Sequence, residues 1–487
     1  MSFETPEFSL ALPEIWLLGA ACVILVVDLF VTDPRRTVTF YLTQAALVVT
    51  ALLAFTTQWG VSAETFSGHY VVDSLGAMMK TAMALLAALA LAYSRPYLED
   101  RGLLKGEYYI LALFATLGMM VLASGGSLLT VYLGLELLSL SLYVLVAFHR
   151  DSRLAAEAAM KYFVLGALAS GLLLYGMSMI YGATGLHGPE PSLLLSVVAE
   201  TARTADEPLL LLFGMTFMLV GVAFKFGAAP FHAWVPDVYQ GAPTPVALFI
   251  STAPKVAAVA LFIRLLVDGL GPLHDTLQPM LILLAVASLL LGNLAAIAQS
   301  NIKRMLAYSA IAHAGFILIG LSVGTEAGLA AALFYVIAYG IMAAGAFGLV
   351  TALSRAGFEA EQIDDLKGLN QHNPVLALVM LLVMVSMTGI PGTVGFYAKY
   401  LVLKAAVDAG MIALVIFAVL AAVIGAFYYL RVLKCVYFDR REDGAEIERA
   451  GGSAAVRAVL VANGAAILVL GVFPERLISA CVAALGG

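Results

Sequence analysis

Residues 223–255, AFKFGAAPFHAWVPDVYQGAPTPVALFISTAPK, place Lys225 and Lys255 on either side of a stretch punctuated by Gly227, Pro230, Pro236 and Pro243. Apolar runs lead into this stretch from 208 and out of it to 268. Proline removes an amide donor and clashes with the preceding helical turn, so the pattern reads as an apolar helix interrupted in mid-course. Residues 389–403, GIPGTVGFYAKYLVL, repeat the theme: Gly389, Pro391, Gly392 and Gly395 come before Lys399. At membrane depth such an interruption survives only against protein or a water-filled cavity, which puts a hydrated path beside each lysine.

The whole chain supports a membrane reading. Its 487 residues are 62% hydrophobic and 12% charged, with mean hydropathy +0.98; soluble domains carry about 25% charged residues. Apolar runs of about 17 to 27 residues give about fourteen spans, near 13–33, 38–58, 75–95, 107–123, 127–148, 159–184, 208–233, 243–268, 277–298, 301–323, 327–353, 374–408, 411–437 and 456–478. The fold class is therefore all-α and polytopic. The net charge of −6 is spread without a basic block, which argues against a nucleic-acid role. Cys22, Cys435 and Cys481 lie far apart, and no phosphate-binding loop is present, so redox or nucleotide chemistry is expected on other chains.

Lysine and arginine orient the bundle, because positive connections stay cytoplasmic. Arg35/Arg36, Arg95/Arg101/Lys105, Arg150/Arg153, Lys303/Arg304, Arg355/Lys367 and the cluster from Arg431 to Arg457 fall on one side, and 61–73 and 186–208 on the other. Both termini are accordingly expected outside. The amino terminus lacks a signal-peptide pattern, so the first span is expected to be retained. The polar run 439–450, DRREDGAEIERA, reads as an inside loop.

Sliding the sequence by 174 residues matches Leu117-Gly118 with Leu291-Gly292, Gly166 with Gly340, Gly171 with Gly345, Val220-Gly221 with Val394-Gly395, and Lys225 with Lys399. Each copy holds five spans, and an odd number turns the second copy upside down, the inverted-repeat plan of many transporters. The division is 1–105 (three flanking helices), 106–270 (first repeat), 271–438 (second repeat) and 439–487 (loop and last helix), with the seventh and twelfth spans broken.

Six lysines fall within spans: Lys80, Lys161, Lys225, Lys255, Lys399 and Lys404. Each costs about 2.5–3.5 kcal/mol at a helix centre. Lys80 and Lys404 lie within reach of an interface and read as snorkelling side chains. Lys225, Lys255 and Lys399 are flanked by apolar residues over several turns and form the functional core. Lys161 has Glu157 four residues earlier, which offers a surface pair as an alternative to a buried role. Glu136, in GLELLSL, is the only acid of its span, so it is either protonated or paired with a cation from another helix. His313 either carries a proton or is a neutral ring bonded to a backbone carbonyl. His232, after Pro230, has a structural hydrogen bond and a proton path as equal readings. Trp234, Asp237 and Tyr239 read as loop anchors.

Together with GLELLSL and SNIKRMLAYSAIAHAGF (300–316), the two interrupted segments resemble, along essentially the whole chain, the antiporter-like membrane subunits of proton-pumping NADH:quinone oxidoreductase, respiratory complex I. PDVYQGAPTP after the seventh span, lysine at 399 and the lack of a long lateral carboxy-terminal helix resemble its subunit-N branch. Mrp-type sodium/proton antiporter subunits share the repeats, and a non-pumping structural subunit is a further alternative. The resemblance implies that Glu136 and Lys225 are the charged pair of a first half-channel, that Lys255 and His313 connect along a central axis, and that Lys399 ends the second half-channel. It also implies a role for Lys161. NADH, flavin mononucleotide, iron–sulfur clusters and quinone would belong to other subunits, and the neighbours would be membrane-arm subunits and lipid.

Overall fold

The computed structural model describes residues 5–188, 190–205, 208–440 and 453–486. Beyond Arg440, the expected loop 439–450 lies outside the described residues. The chain is helical because a lipid-facing backbone must satisfy its own hydrogen bonds. The helices are α1 (Leu12–Asp28), α2 (Thr37–Gln58), α3 (Ser74–Asp100), α4 (Gly106–Ala123), α5 (Leu128–Val146), α6 (Arg153–His187), α7 (Leu195–Thr204), α8 (Leu209–Phe226), α9 (Trp234–Gly241), α10 (Thr244–Ser251) and α11 (Ala253–Phe262). They continue as α12 (His274–Ile297), α13 (Ile302–Ser322), α14 (Glu326–Leu353), α15 (Leu369–His372), α16 (Pro374–Thr388), α17 (Val394–Asp408), α18 (Ile412–Tyr437), α19 (Ala454–Val472) and α20 (Glu475–Ala483). A hairpin of β1 (Ala63–Thr65) and β2 (Tyr70–Val72) pairs Ala63 with Val72 and Thr65 with Tyr70.

Among the described residues 13 helical stretches are long and apolar enough to cross a membrane. The remaining expected span is α16 plus α17, split at Gly389–Thr393. The seventh span stops as expected: α8 ends at Phe226, with Gly227 at φ 69° as its left-handed cap, and Pro230 follows in the connecting turn. Gly389, at φ 90°, ends α16 in the same way before Pro391. The eighth span was expected to be continuous and is broken as well. Thr252 leaves helical geometry between α10 and α11, and Pro254 opens α11 one residue before Lys255. Residues 263–269, which close that span, form a π-helix.

The repeat has structural counterparts at the same offset. Ser127 caps α5 through Thr130 N and bridges Leu194; Asn301 caps α13 through Arg304 N and bridges Gln362. The capped ends lie at opposite faces of the bundle. Ser127 hydrogen-bonds His69 beside the hairpin, whereas Asn301 hydrogen-bonds Glu361 next to Lys303. Gly118 lets α4 approach α5 until a Cβ would meet Leu138 N at 2.5 Å, and Gly292 does the same for α12 and α13 against Ala312 N at 2.7 Å. Helices α10, α11, α13 and α14 form the buried middle, and α1, α2, α18 and α19 lie towards the periphery. Glu7, bonded to Thr65, and Ala484, beside Asp73, stand at the same face as the hairpin, so both ends of the described chain share one face.

Candidate functional site

Helix α8 delivers Lys225 in its last turn, and α11 delivers Lys255 in its first. The two ammonium groups line one cavity of ≈ 20 Å³, together with Ser139, Tyr162, Trp234 and apolar side chains. That volume has room for about one water. Lys225 Nζ donates to Ser139 Oγ at 2.7 Å, and Lys255 Nζ donates to the Phe226 carbonyl, freed by the end of α8, at 2.7 Å. The helix break therefore supplies one lysine with its acceptor.

Glu136 lies on α5 one turn before Ser139. It forms no ion pair with Lys225 among the described residues, and its Oε1 is buried without a hydrogen-bond partner. Ser139 is the direct partner of Lys225, which the sequence reading did not anticipate. The spacing of three between Glu136 and Ser139, which puts them on one face of α5, was the available signal.

Lys399 stands on α17, after its break, whereas Lys225 stands before its own. Lys399 Nζ donates to the carbonyls of Met387 at 3.1 Å and Thr388 at 2.8 Å, the unsatisfied end of α16, and lies 5.2 Å from the Phe316 ring centroid. His313 lies between the two broken regions in the buried α13. Its partners are two hydroxyls, Tyr335 at 2.7 Å on Nδ1 and Tyr429 at 3.0 Å on Nε2, and not a backbone carbonyl. Tyr429 also bonds Ser309. A hydroxyl both donates and accepts, so either neutral tautomer of His313 is satisfied and the protonated ring can donate to both. No sequence pattern marked these tyrosines.

Lys80 corrects the snorkelling expectation. It is fully buried, paired with Glu14 Oε1 at 2.6 Å and bonded to Gln58 at 2.8 Å and to the Tyr70 hydroxyl at 3.0 Å. Lys404 agrees with it, being exposed and 3.6 Å from Asp408. The surface alternative for Lys161 is realised. It is half-exposed, and it pairs with Glu157 and with Asp237, each at 2.8 Å. Asp237 accepts Arg304 as well at 2.7 Å. Trp234 and Tyr239, expected as loop anchors, are buried; Trp234 stacks on Tyr162 with centroids 4.6 Å apart and donates to the Phe224 carbonyl. His232 is half-buried, with no partner for Nδ1 among the described residues. Lys303–Glu361 at 2.9 Å and Arg264–Asp73 at 2.7 Å are further buried cations held by carboxylates.

The contrast between these two kinds of cation sorts the site. Among the described residues Lys225, Lys255 and Lys399 bond only hydroxyl or carbonyl oxygens, whereas Lys80, Lys303 and Arg264 are locked to carboxylates. Broken helices carrying buried lysines, in two inverted repeats, define an antiporter-like membrane subunit. Residues 125–425 match the family model described as NADH:quinone oxidoreductase/Mrp antiporter, TM. The chain is 73% identical to NADH-quinone oxidoreductase subunit N of Halorhodospira halophila, each chain being covered to 100%. It is 65% identical to the subunit N of Alkalilimnicola ehrlichii, over 99% of this chain and 98% of that one. A chain of respiratory complex I from Thermus thermophilus with bound aureothin superposes with TM-score 0.81 at 33% identity, covering 97% of this chain and 99% of that one. A chain of the Mrp complex from Dietzia shares the fold, with TM-score 0.82 at 22% identity over 98% of this chain and 96% of that one. The chain belongs to the NADH-quinone oxidoreductase subunit N family.

Proposed function

We propose that protons cross this subunit by way of Lys225, Lys255, His313 and Lys399, driven by quinone reduction elsewhere in the assembly. The observation that carries this reading is the neutral company of the three lysines. A lysine bonded to a hydroxyl or carbonyl releases its proton without stranding a buried carboxylate, whereas breaking a buried ion pair costs about 3–5 kcal/mol. Lys225 and Lys255 share a cavity with room for a water, which supplies a proton bridge between them. Glu136 biases Lys225 through space, across Ser139. His313 relays between Tyr335 and Tyr429 by exchanging tautomers, and Lys399 terminates the path on the second broken helix. Pro230 and Pro391 keep both helices interrupted; His232 and Lys161 serve the inner approaches.

Residues 106–270 and 271–438 act as the two repeat units, flanked by 1–105 and 439–487. NADH, flavin mononucleotide, iron–sulfur clusters and quinone are held by other subunits. Neighbouring membrane-arm subunits cover part of the lateral surface. Glu136 is partly open on the α5 face between Leu133 and Leu140, and an acid at membrane depth is expensive without company. The arginine-rich face is cytoplasmic, and both termini are periplasmic in a bacterial inner membrane.

The test is the number of protons moved per NADH oxidised in sealed vesicles of the assembled enzyme. Lys225→Ala and Lys399→Ala should each lower it at normal assembly. Full yield in both variants would favour a structural subunit that pumps nothing, and a yield that follows sodium would favour an antiporter of the Mrp kind.

A further inference from the structure

Helix α5 carries three polar side chains on the face it turns to α6 and α8: Glu136, Ser139 and Tyr143, spaced three and then four residues apart. Tyr143 has no place in the path described so far. Its ring is held edge-on against Tyr162 and Phe163 of α6, with centroids 4.8 and 5.6 Å away, and Tyr162 in turn lines the lysine cavity. The hydroxyl sits against Gly166 of α6, where a Cβ would collide with it. It is buried and faces the Ser139 hydroxyl and the Glu136 carboxylate, yet it has no hydrogen-bond partner among the described residues. A buried hydroxyl without a partner is costly, so its placement points to a state in which it has one.

Ser139 defines that state. In the structure its oxygen accepts from the Lys225 ammonium and its own proton goes to the Leu135 carbonyl, so both ends of the hydroxyl are engaged. An ammonium only donates, whereas the neutral amine left after proton release offers a lone pair. Ser139 can then turn its O–H from the Leu135 carbonyl to that lone pair. Its oxygen no longer receives an N–H from Lys225 and is open to another donor. Tyr143, one turn further along the same face of α5, is placed to supply it.

We infer that Tyr143 is a positioning residue of the first repeat that acts through Ser139: its hydroxyl donates to Ser139 Oγ while Lys225 is discharged, and so stabilises the discharged lysine until it is reloaded. No proton passes through Tyr143. The proton leaves Lys225 towards Lys255, Ser139 exchanges its carbonyl acceptor for the amine, and the Tyr143 O–H bonds the oxygen that the ammonium has released. Reloading of Lys225 reverses both exchanges. The inference rests on the proton-carrying reading of Lys225. The other titratable groups around that lysine are Glu136 on α5, Tyr162 on α6 and Lys255 on α11, and removing the Tyr143 oxygen changes none of them.

The test is the pH profile of NADH-driven proton translocation in sealed vesicles of the assembled enzyme, Tyr143→Phe against the parent. Phenylalanine keeps the ring contacts and removes an atom that has no partner, so the variant should assemble normally and melt no lower than the parent. Discharge of Lys225 becomes less favourable and needs a higher pH. The profile should therefore move up by roughly half a pH unit to one unit, the range of a single neutral hydrogen bond. Glu136→Gln takes away charge that favours the ammonium, so it should move the profile down and thereby mark the limb that reports Lys225. In a Ser139→Ala background no hydroxyl is left to receive the bond, and adding Tyr143→Phe should cause no further shift. An unmoved or lowered profile in Tyr143→Phe would overturn the inference, as would a shift that persists in the Ser139→Ala background. Lys225→Ala is run alongside. If it lowers the proton yield while Tyr143→Phe leaves the profile in place, the positioning role is refuted and the carrier reading stands; if it pumps at full yield, the carrier reading has failed.

Discussion

Ser139 Oγ accepts the Lys225 ammonium at 2.7 Å and itself donates to the Leu135 carbonyl, so the proton-bearing nitrogen is tied to α5 through a neutral hydroxyl one turn from Glu136. The lysine thus meets the carboxylate's field without its grip. A hydrogen bond from a charged donor is worth about 1.5–3 kcal/mol. Ser139→Ala should therefore reduce NADH-driven proton translocation by roughly tenfold or more, since 1.4 kcal/mol is about a factor of ten. Ser139→Thr keeps the hydroxyl and should retain most of it. Equal translocation in the alanine and threonine variants would remove Ser139 from the mechanism.

Glu136→Gln keeps the shape and takes away the charge. Turnover of the assembled enzyme should fall, and Glu136→Asp should retain partial activity, because the field at Lys225 needs charge more than contact. Identical losses in both variants would assign Glu136 a geometric role.

The Glu14–Lys80 pair predicts a different phenotype. Stranding one member of a buried pair costs about 3–5 kcal/mol, whereas replacing both by apolar groups is often neutral. Lys80→Met alone should lower the thermal stability and membrane level of the subunit, and Glu14→Leu together with Lys80→Met should recover most of it. Stability unchanged in Lys80→Met would show that the pair does not hold α1 to α3.

His313 has one tyrosine hydroxyl on each ring nitrogen, so the two contacts act in series. Tyr335→Phe and Tyr429→Phe should each slow proton translocation strongly, and the double variant should be little worse than either single one, a result read from proton uptake rates in vesicles. Losses that multiply would indicate two independent contributions.

Gly118 and Gly292 occupy matching positions, and a Cβ at either meets backbone of the partner helix, whereas nothing lies within 4 Å of Gly171. Gly118→Ala and Gly292→Ala should both destabilise the subunit, by about 1–3 kcal/mol for an overpacked contact. Gly171→Ala should leave the melting temperature of the assembled complex within a degree or two.

Much of this molecule was legible from local pattern. Apolar runs marked the spans, and the Gly/Pro clusters at 227–230 and 389–392 marked both expected breaks, because helix termination depends on neighbouring dihedrals and missing amides. The third break lies inside an apolar run, 243–268, that has the length of one span, and its only local mark is Pro254, one residue before Lys255. The offset of 174 residues placed the repeats, and Ser127 and Asn301 show why, since equivalent caps begin equivalent helices. What the sequence could not assign was the company each buried cation keeps. Lys80 and Lys225 look alike in a run of apolar residues, yet one meets Glu14 from a helix 66 positions earlier and the other meets Ser139 from 86 positions earlier. Periodicity decides which face of a helix a side chain occupies; which helix lies opposite is decided by packing. Sequence alone determined that lysines are carried into the membrane on broken helices. The tertiary structure decided which are locked by a carboxylate and which meet hydroxyl and carbonyl oxygens, because an ion pair forms only where two distant segments place opposite charges within a few ångströms in a medium that screens them poorly.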